Sequence, residues 1–223
     1  MKERILVTGG TGYIGSHTVV ELQNSGYEVI IIDNLSNSSA DVVDNIEKVS
    51  GIRPAFEKLD CLDFAGLDAV FAKYKGIKAI IHFAASKAVG ESVEKPLLYY
   101  RNNLVSLINL LELMPKHGVE GIVFSSSCTV YGQPDELPVT EKAPIKKAES
   151  PYGNTKQINE EIVREAVKQD GWTLQFASER LQDNEEIALA ELRQTHTKTQ
   201  VLQKPFHSCK SFAQEYEKDA CTH

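Results

Sequence analysis

Tyr152 and Lys156 are four residues apart, a Y-x-x-x-K spacing that places both side chains on one face of a helix. The spacing alone also fits a surface helix with unrelated side chains. As a working pair, the Lys156 ammonium would favour the phenolate of Tyr152, lower its pKa and let it act as a general base on a sugar or alcohol hydroxyl. Ser127 ends an apolar run and could bridge the substrate oxygen and the phenol. These three residue types, in this order, favour hydride transfer beside a nicotinamide.

A glycine-rich stretch near the start of the chain has the spacing expected of a phosphate-binding turn. Gly9, Gly12 and Gly15 follow the apolar run 4–8 and open an amphipathic segment. Glycine at these positions permits a sharp turn, close approach of the backbone to a pyrophosphate, and close packing of helix against strand. The free N–H groups at the start of the helix would face the phosphates. The stretch therefore predicts a strand, a turn and a helix that bind a dinucleotide.

An acidic residue stands at the end of the second predicted strand. This strand covers 28–32 and is followed by Asp33, which lies about 20 residues after the glycines, the separation expected of the acid that binds an adenosine ribose. A carboxylate there would repel a 2′-phosphate, so the sequence favours NAD over NADP.

Strand and helix patterns alternate along the rest of the chain. Further strands are predicted at 55–60, 79–85, 121–127 and 172–177, and helices at 16–25, 40–50, 63–75, 97–116 and 151–169. This alternation predicts parallel strands joined by right-handed crossovers, with both faces of the sheet covered. The predicted fold class is an α/β doubly wound parallel sheet, a Rossmann-type NAD-binding domain over 1–177. A divergent tail over 178–223 would contain one amphipathic helix at 184–200.

The composition excludes several classes of protein. A net charge of −7 over 223 residues argues against a general affinity for nucleic acid or an anionic membrane. The chain has no apolar run of membrane-spanning length, and its first strand begins almost at once, so we expect no signal peptide and a cytoplasmic location. The four cysteines and six histidines follow no metal-binding spacing, so we expect no metal site.

Six stretches resemble the UDP-glucose 4-epimerases of the extended short-chain dehydrogenase/reductase family: VTGGTGYIGSH, IIDNLSNS, HFAASKAVGESVEKP, YYRNN, FSSSCTVYG and SPYGNTK. The resemblance extends over roughly residues 3–168. The glycines and the Y-x-x-x-K spacing point only to the superfamily, whereas KAVGES, YYRNN and SSSCTVYG resemble these epimerases in particular. The resemblance implies an isomerase of galactose metabolism, which interconverts UDP-glucose and UDP-galactose through a 4-keto sugar with the help of a bound NAD.

The resemblance also implies roles for individual residues. The implied NAD contacts are Gly9, Gly12, Tyr13, Ile14 and Gly15 at the pyrophosphate, Asp33, Asn34, Leu35, Ser36, Asn37 and Ser38 at the adenosine ribose, Asp60 and Cys61 beside the adenine, and Phe83, Ala84, Ala85, Lys87 and Asn102 along the rest of the cofactor. The implied catalytic residues are Ser127, Tyr152 and Lys156. Of these, Ser127 and Tyr152 would meet the sugar, and Lys156 would hold the nicotinamide ribose; Tyr152 and Lys156 would both touch NAD.

The sequence departs from the family after residue 177. The family continues with an R-Y-F-N-P-type run and a C-terminal lobe that binds the uridine nucleotide, and neither is matched here, so most of the substrate lobe is expected to be missing. An open cleft and an uncovered sheet edge would follow, and the edge favours pairing of two copies as a homo-oligomer. A smaller departure is Ala85-Ser86, where the family has Gly-Leu.

Two alternative functions stay open. One is a fragment that binds NAD but is catalytically weak or inactive. The other is a different nucleotide-sugar dehydrogenase such as a 4,6-dehydratase, which would carry a threonine followed by an Asp-Glu pair where this chain has Ser127-Cys128-Thr129.

Overall fold

The computed structural model describes residues 2–170, with side chains to residue 167. Its strands are β1 (Arg4–Thr8), β2 (Glu28–Asp33), β3 (Ala55–Lys58), β4 (Ile77–His82) and β5 (Gly121–Phe124). Its helices are α1 (Tyr13–Asn24), α2 (Asp41–Ser50), α3 (Phe64–Lys73), α4 (Val89–Glu94), α5 (Pro96–His117) and α6 (Pro151–Asp170), with a short 3₁₀ turn at Cys128–Tyr131.

The five strands form one parallel sheet in the order β3-β2-β1-β4-β5. The strand order reverses direction between β1 and β4, where the connections leave towards opposite faces of the sheet. Thr8, the last residue of β1, pairs with Ile32 on one side and with His82 on the other. In open sheets of this kind, ligands bind in the crevice at such a switch point, beyond the carboxyl ends of the strands.

Helices cover both faces of the sheet, as the apolar strands require. Because strand side chains alternate, Leu6, Ile30 and Ile80 face one layer, which α3 and α5 complete with their apolar side chains. Val7 and Ile31 face the opposite layer, completed by α1 and α2. The side chains of Leu6, Val7, Ile30 and Ile31 are fully buried, so the central strands form the floor of the site.

The predicted fold class is confirmed, and the element boundaries differ mainly at the edge that carries the site. Three predicted strands end earlier than expected, at Lys58, His82 and Phe124 instead of at 60, 85 and 127. The polar or small residues beyond these ends leave the sheet and form the loops of the site. The predicted helix over 16–25 starts earlier, at Tyr13, directly after the glycine turn.

Parts of the sequence prediction cannot be compared with the structure. The predicted strand 172–177, the tail over 178–223 and its helix at 184–200 lie outside the described residues. The short helix α4 was not predicted from the sequence. Among the helices of residues 2–170, none combines the length and apolar character needed to cross a membrane.

Candidate active site

The glycine turn is locked against the loop that follows β4. Gly9 has a φ of +71°, a conformation that favours glycine, and its N–H donates to the carbonyl oxygen of Ile32 at 2.8 Å. A Cβ atom on Gly9 would lie 2.7 Å from the backbone nitrogen of Ala84, and one on Gly15 would lie 2.2 Å from the carbonyl oxygen of Gly9. Two of the three predicted glycines are therefore required by backbone packing at the switch point.

The start of α1 is open towards the outside of the molecule. Gly12 is its N-cap and offers no side chain to cap the first turn. The side chains of Tyr13 and Ile14 are 60% and 51% exposed. Backbone N–H groups at an uncapped helix start attract anions, so this end of α1 fits a phosphate group.

Asp33 organises the loop beside the glycine turn. Its carboxylate accepts hydrogen bonds from the backbone N–H of Thr11 at 3.2 Å and of Leu35 at 2.9 Å, and from the Ser38 hydroxyl at 3.3 Å. The hydroxyls of Thr11 and Ser38 are themselves 2.7 Å apart. The sequence prediction missed Thr11, whose backbone and side chain connect the glycine turn to the loop that follows β2. A carboxylate has about four lone-pair positions, so Asp33 keeps acceptor capacity for a ribose hydroxyl.

Asp60 and Cys61, which the sequence predicts beside the adenine, lie just after the end of β3. The Asn34 amide donates to the Asp60 carboxylate at 2.9 Å, which connects the ends of β2 and β3. Ser36 and Asn37 are exposed in the same loop. Cys61 is different because its side chain packs in the core, and burial raises the pKa of its thiol to about 12. We therefore expect Cys61 to be an unreactive thiol.

The loop after β4 is held by an asparagine that the sequence prediction did not include. Asn103 is buried, accepts the N–H of Ser86 at 2.8 Å and donates to the Ser86 carbonyl at 3.0 Å and to the Thr155 hydroxyl at 3.0 Å. The predicted Asn102 donates to the Ser86 hydroxyl at 3.0 Å, so it also positions this loop. Lys87 is exposed at the end of the loop.

The remaining predicted residues of this loop lie next to the glycine turn. Phe83 and Ala84 are half-buried, and their backbone N–H groups donate to Thr8, to its carbonyl at 3.0 Å and its hydroxyl at 3.4 Å. Ala85 is also half-buried. The predicted cofactor residues of β1, β2 and β4 therefore border one crevice.

The three predicted catalytic residues meet at the edge formed by β5 and α6. Tyr152 lies in the first turn of α6 and Ser127 just beyond β5, where its hydroxyl is near enough to oppose the rise in the pKa of the phenol. The Lys156 ammonium lies 5.9 Å from the centre of the Tyr152 ring and donates to the carbonyl oxygen of Ser125 at 2.7 Å. The Y-x-x-x-K spacing thus places both side chains on one face of α6, as predicted.

The predicted lowering of the Tyr152 pKa is wrong for this structure. Burial raises the pKa of Tyr152, the hydrogen bond from Ser127 opposes the rise, and the nearby Cys128 adds to it. Burial also lowers the pKa of Lys156 to about 8, and the Glu160 carboxylate opposes that change. The expected effect of Lys156 is absent because its ammonium bonds to a backbone carbonyl and not to the phenol.

A buried histidine that was not predicted lies near Lys156. His82 Nδ1 and the Thr8 hydroxyl are 2.7 Å apart, and the imidazole ring stacks on Phe124. Burial, together with the charge of Lys156, lowers the pKa of His82 to about 3, so the ring is neutral at physiological pH. Lys156 lies 4.7 Å above the same Phe124 ring. Because His82 is neutral, it packs in this position without placing a second positive charge next to Lys156.

The described part of the chain shows no candidate metal-binding site. Residues 2–170 contain no group of three or more His, Cys, Asp or Glu side chains arranged to hold a metal ion.

Comparison with known proteins points to one family. Residues 5–184 match the family described as the NAD dependent epimerase/dehydratase family. The chain is 53% identical over 171 residues to the UDP-glucose 4-epimerase of Bacillus subtilis (strain 168), covering 76% of this chain and 50% of that protein. It is 50% identical over 173 residues to UDP-glucose 4-epimerase 2 of Arabidopsis thaliana, covering 76% and 49%.

A solved structure agrees with these relatives. The crystal structure of the UDP-glucose 4-epimerase from Bifidobacterium longum, in complex with NAD⁺ and UDP, superimposes with a TM-score of 0.74 at 47% identity. The match covers 76% of this chain and 51% of that one. The chain thus spans about half the length of the relatives it matches.

Proposed function

This chain belongs to the NAD dependent epimerase/dehydratase family, and from that premise we propose that it binds NAD and acts as a UDP-glucose 4-epimerase. The reaction interconverts UDP-glucose and UDP-galactose through a 4-keto sugar, with no net oxidation. The substrates are the two UDP-sugars, and the expected location is the cytoplasm.

The crevice at the switch point has the features that NAD requires. The uncapped start of α1 suits the pyrophosphate, and Asp33 has acceptor capacity for the adenosine ribose. Gly9 packs so closely against Ala84 that any side chain at this position would collide with backbone atoms, so no side chain projects from this part of the turn. When bound in this crevice, NAD would supply a reversible hydride acceptor for C4 of the sugar.

The side chains at β5 and α6 can handle the proton of that reaction. Tyr152 would accept the proton of the sugar 4-hydroxyl, and Ser127 would hold the sugar oxygen and the phenol together by hydrogen bonds. Lys156 lies one helical turn further on, with its ammonium 5.9 Å from the centre of the Tyr152 ring, and would hold the nicotinamide ribose. On return of the hydride, Tyr152 would give the proton back to the sugar oxygen.

One observation carries the proposal: the glycine turn, Asp33 and the Ser127–Tyr152–Lys156 group all lie beyond the carboxyl ends of the same parallel strands. The residues proposed to contact the dinucleotide and the proposed general base would therefore share one edge of the sheet, which supports hydride transfer to a nicotinamide.

A second candidate is an NAD-binding chain without turnover. It is favoured by the burial of Tyr152, which raises the pKa of the phenol that would have to act as the base. In this case the crevice would hold NAD, and no UDP-sugar would be converted.

The test uses the purified full chain. NAD is released by denaturation and quantified, and UDP-galactose is then added to the native protein and the formation of UDP-glucose followed by chromatography. We expect one NAD per chain, and turnover that Tyr152→Phe reduces by about 10²–10⁴-fold, the usual contribution of a general base.

Tyr74→Phe is the matched control, because it removes a phenol hydroxyl that bonds to Glu57 near the end of α3, away from the crevice. It should keep full activity. Bound NAD without turnover would select the second candidate, and absence of NAD would overturn both.

A further inference from the structure

Thr11 is a buried residue of the glycine turn, and its hydroxyl reaches the loop that follows β2. Thr11 is 2% exposed, and its hydroxyl oxygen lies 2.7 Å from that of Ser38. The Ser38 hydroxyl in turn donates to the Asp33 carboxylate at 3.3 Å. A serine hydroxyl has one hydrogen and a carboxylate only accepts, so both contacts are satisfied when Thr11 donates to Ser38 and Ser38 donates to Asp33.

Thr11 therefore restrains Asp33 by two routes. Its backbone N–H donates to Oδ2 of Asp33 at 3.2 Å, and its hydroxyl acts on Oδ1 through Ser38. Because the two routes end on different oxygens, one residue of the glycine turn limits both the position and the rotation of the carboxylate. The N–H of Leu35 also donates to Oδ1, at 2.9 Å.

The loop over residues 34–38 depends on a small number of such contacts. Three of its five residues are exposed. Leu35 has a φ of +61°, a left-handed conformation that bulky side chains rarely adopt. A residue keeps this conformation only where the surrounding contacts impose it. One end of the loop is held by the Asn34 amide, which donates to Asp60 at 2.9 Å, and the other end by the contact between Ser38 and Thr11.

The glycine turn on the other side of that contact is fixed by backbone packing. The N–H of Gly9 donates to the carbonyl oxygen of Ile32 at 2.8 Å, and a Cβ atom on Gly10 would lie 2.7 Å from the side chain of Ile31. Thr11 follows directly after these two glycines. If the contact between Thr11 and Ser38 is broken, the exposed loop is therefore the part that moves.

We infer that Thr11 is a positioning residue for the cofactor, which holds the loop 34–38 against the glycine turn through Ser38 and so fixes the Asp33 carboxylate relative to the start of α1. The inference rests on the proposed function, in which the start of α1 meets the pyrophosphate and Asp33 meets the adenosine ribose. The contact then favours ligands that occupy both places at once over ligands that occupy only one.

The first experiment needs no ligand and follows the exchange of the Leu35 amide hydrogen with D₂O by NMR in the full chain. Thr11→Val keeps the backbone N–H and nearly the same volume, and it removes the hydroxyl. Loss of such a hydrogen bond should make opening of the loop, and hence exchange at Leu35, about fivefold faster. An unchanged exchange rate would contradict the inference.

Two variants serve as controls for this measurement. Thr11→Ser keeps the hydroxyl and should restore the exchange rate of the parent. Thr18→Val makes the same chemical change in α1, where the hydroxyl donates to the Ile14 carbonyl of its own helix at 3.0 Å. Because that bond does not involve the loop, Thr18→Val should leave the exchange at Leu35 unchanged.

The second experiment measures the affinity of the full chain for ADP-ribose and for adenosine by ligand-observed NMR, after removal of any bound dinucleotide. ADP-ribose can reach both the start of α1 and Asp33, whereas adenosine lacks the pyrophosphate. Thr11→Val should weaken the binding of ADP-ribose by about fivefold and that of adenosine by less than about twofold. Equal weakening of both would indicate a general structural defect and would overturn the inference.

Ser38→Ala removes the same contact from the exposed side, and it is the second variant in case Thr11→Val does not fold. If both residues act through one contact, adding Thr11→Val to Ser38→Ala should weaken ADP-ribose binding no further. An equal loss in both backgrounds, or loss of the folded state in both single variants, would count against the inference.

Failure of the proposed function gives a different result. A parent chain that binds neither ADP-ribose nor adenosine would overturn the proposed NAD site, and with it the role of Thr11 in ligand binding. Faster exchange at Leu35 in Thr11→Val would still identify the contact as a restraint on the loop. A parent that binds ADP-ribose, together with unchanged exchange and affinity in Thr11→Val, would overturn the inference alone.

Discussion

Replacing Gly15 with alanine would push a methyl group into space that backbone atoms already fill. The added Cβ would lie 2.2 Å from the carbonyl oxygen of Gly9, 2.8 Å from the Cα of Gly10 and 3.0 Å from the carbonyl carbon of Gly9. None of these atoms belongs to a flexible side chain. Either α1 or the glycine turn therefore has to move away from the other.

The size of the effect follows from that overlap. Adding a methyl group to a well-packed region costs about 1–3 kcal/mol, and contact with rigid backbone places this substitution near the upper value. In a chain of this length, 1 kcal/mol lowers Tm by about 2–4 °C, so Gly15→Ala should lower it by about 6–12 °C. The displaced turn should also weaken NAD binding, because its N–H groups no longer converge.

The assay is thermal melting of the full chain, with and without added NAD. Gly90→Ala is the matched control, because a Cβ at that position in α4 meets no atom within 4 Å, and the change should raise stability by about 0.5–1 kcal/mol. Gly12→Ala lies between them, with one 3.2 Å contact to the Gly9 carbonyl oxygen, so it should weaken NAD binding more than it lowers Tm. If Gly15→Ala melted at the same temperature as Gly90→Ala, the packing argument would be refuted.

Three further predictions concern charge. Because the pKa of Lys156 is lowered to about 8 in the folded chain, the unfolded chain binds more protons between about pH 8 and 10.5. The free energy of unfolding of the parent, relative to that of Lys156→Met, should therefore rise with pH across that window by up to about 3 kcal/mol. Urea titrations measure this difference, and a difference that does not change with pH would contradict the prediction. The pKa of His82 is lowered to about 3, so the stability of the parent relative to His82→Gln should fall as the pH drops from about 6.5 towards 3, and acid titrations that run parallel would count against it. Asp33→Asn should weaken NAD binding by about tenfold or more in calorimetry and reduce the preference for NAD over NADP. Asp44→Asn, on the exposed face of α2, is the control and should change neither quantity. An unchanged preference for NAD would show that Asp33 does not bind the ribose.

The sequence identified those parts of the site whose chemistry is local. Gly9 and Gly15 are set by a turn and a close approach within seven residues, and Tyr152 and Lys156 by one turn of helix. Asp33 follows from the position of a strand end. Each of these depends on backbone geometry that repeats in doubly wound sheets, so the sequence pattern was sufficient to predict where these residues lie.

Asn103 was missed because its partners are distant in the sequence. It joins Ser86 and Thr155, which are 17 and 52 residues away. A signal was nevertheless present, since Asn103 lies four residues after Tyr99 and four before Leu107, and both of these are fully buried. A polar residue on the apolar face of a helix has to find buried partners, and that rule would have selected Asn103 over the half-buried Asn102.

The direction of the Tyr152 pKa change could not be obtained from the spacing. Four residues of helix bring an ammonium near a phenol, but the sign depends on how deeply each is buried and on what the ammonium bonds to. Here Lys156 is 4% exposed and gives its hydrogen bond to the Ser125 carbonyl, so desolvation determines both pKa values. Burial thus works against the charge separation that the chemistry requires, and neighbouring groups have to compensate.

The compensating groups come from one ordered contact between β5 and α6. Three consecutive serines leave the strand, and each meets a different turn of the helix: Ser125 through its carbonyl to Lys156 at 2.7 Å, Ser126 through its hydroxyl to Glu160 at 2.6 Å, and Ser127 to Tyr152. The helix partners are spaced by four residues, so they lie in a single row along α6. Ser127 opposes the rise in the phenol pKa, and Glu160 opposes the fall in the ammonium pKa. Because the Ser125 and Ser126 bonds also hold the strand end on the helix, a substitution that changes the pKa of Lys156 through either of them should also loosen the contact that positions Tyr152 and Lys156.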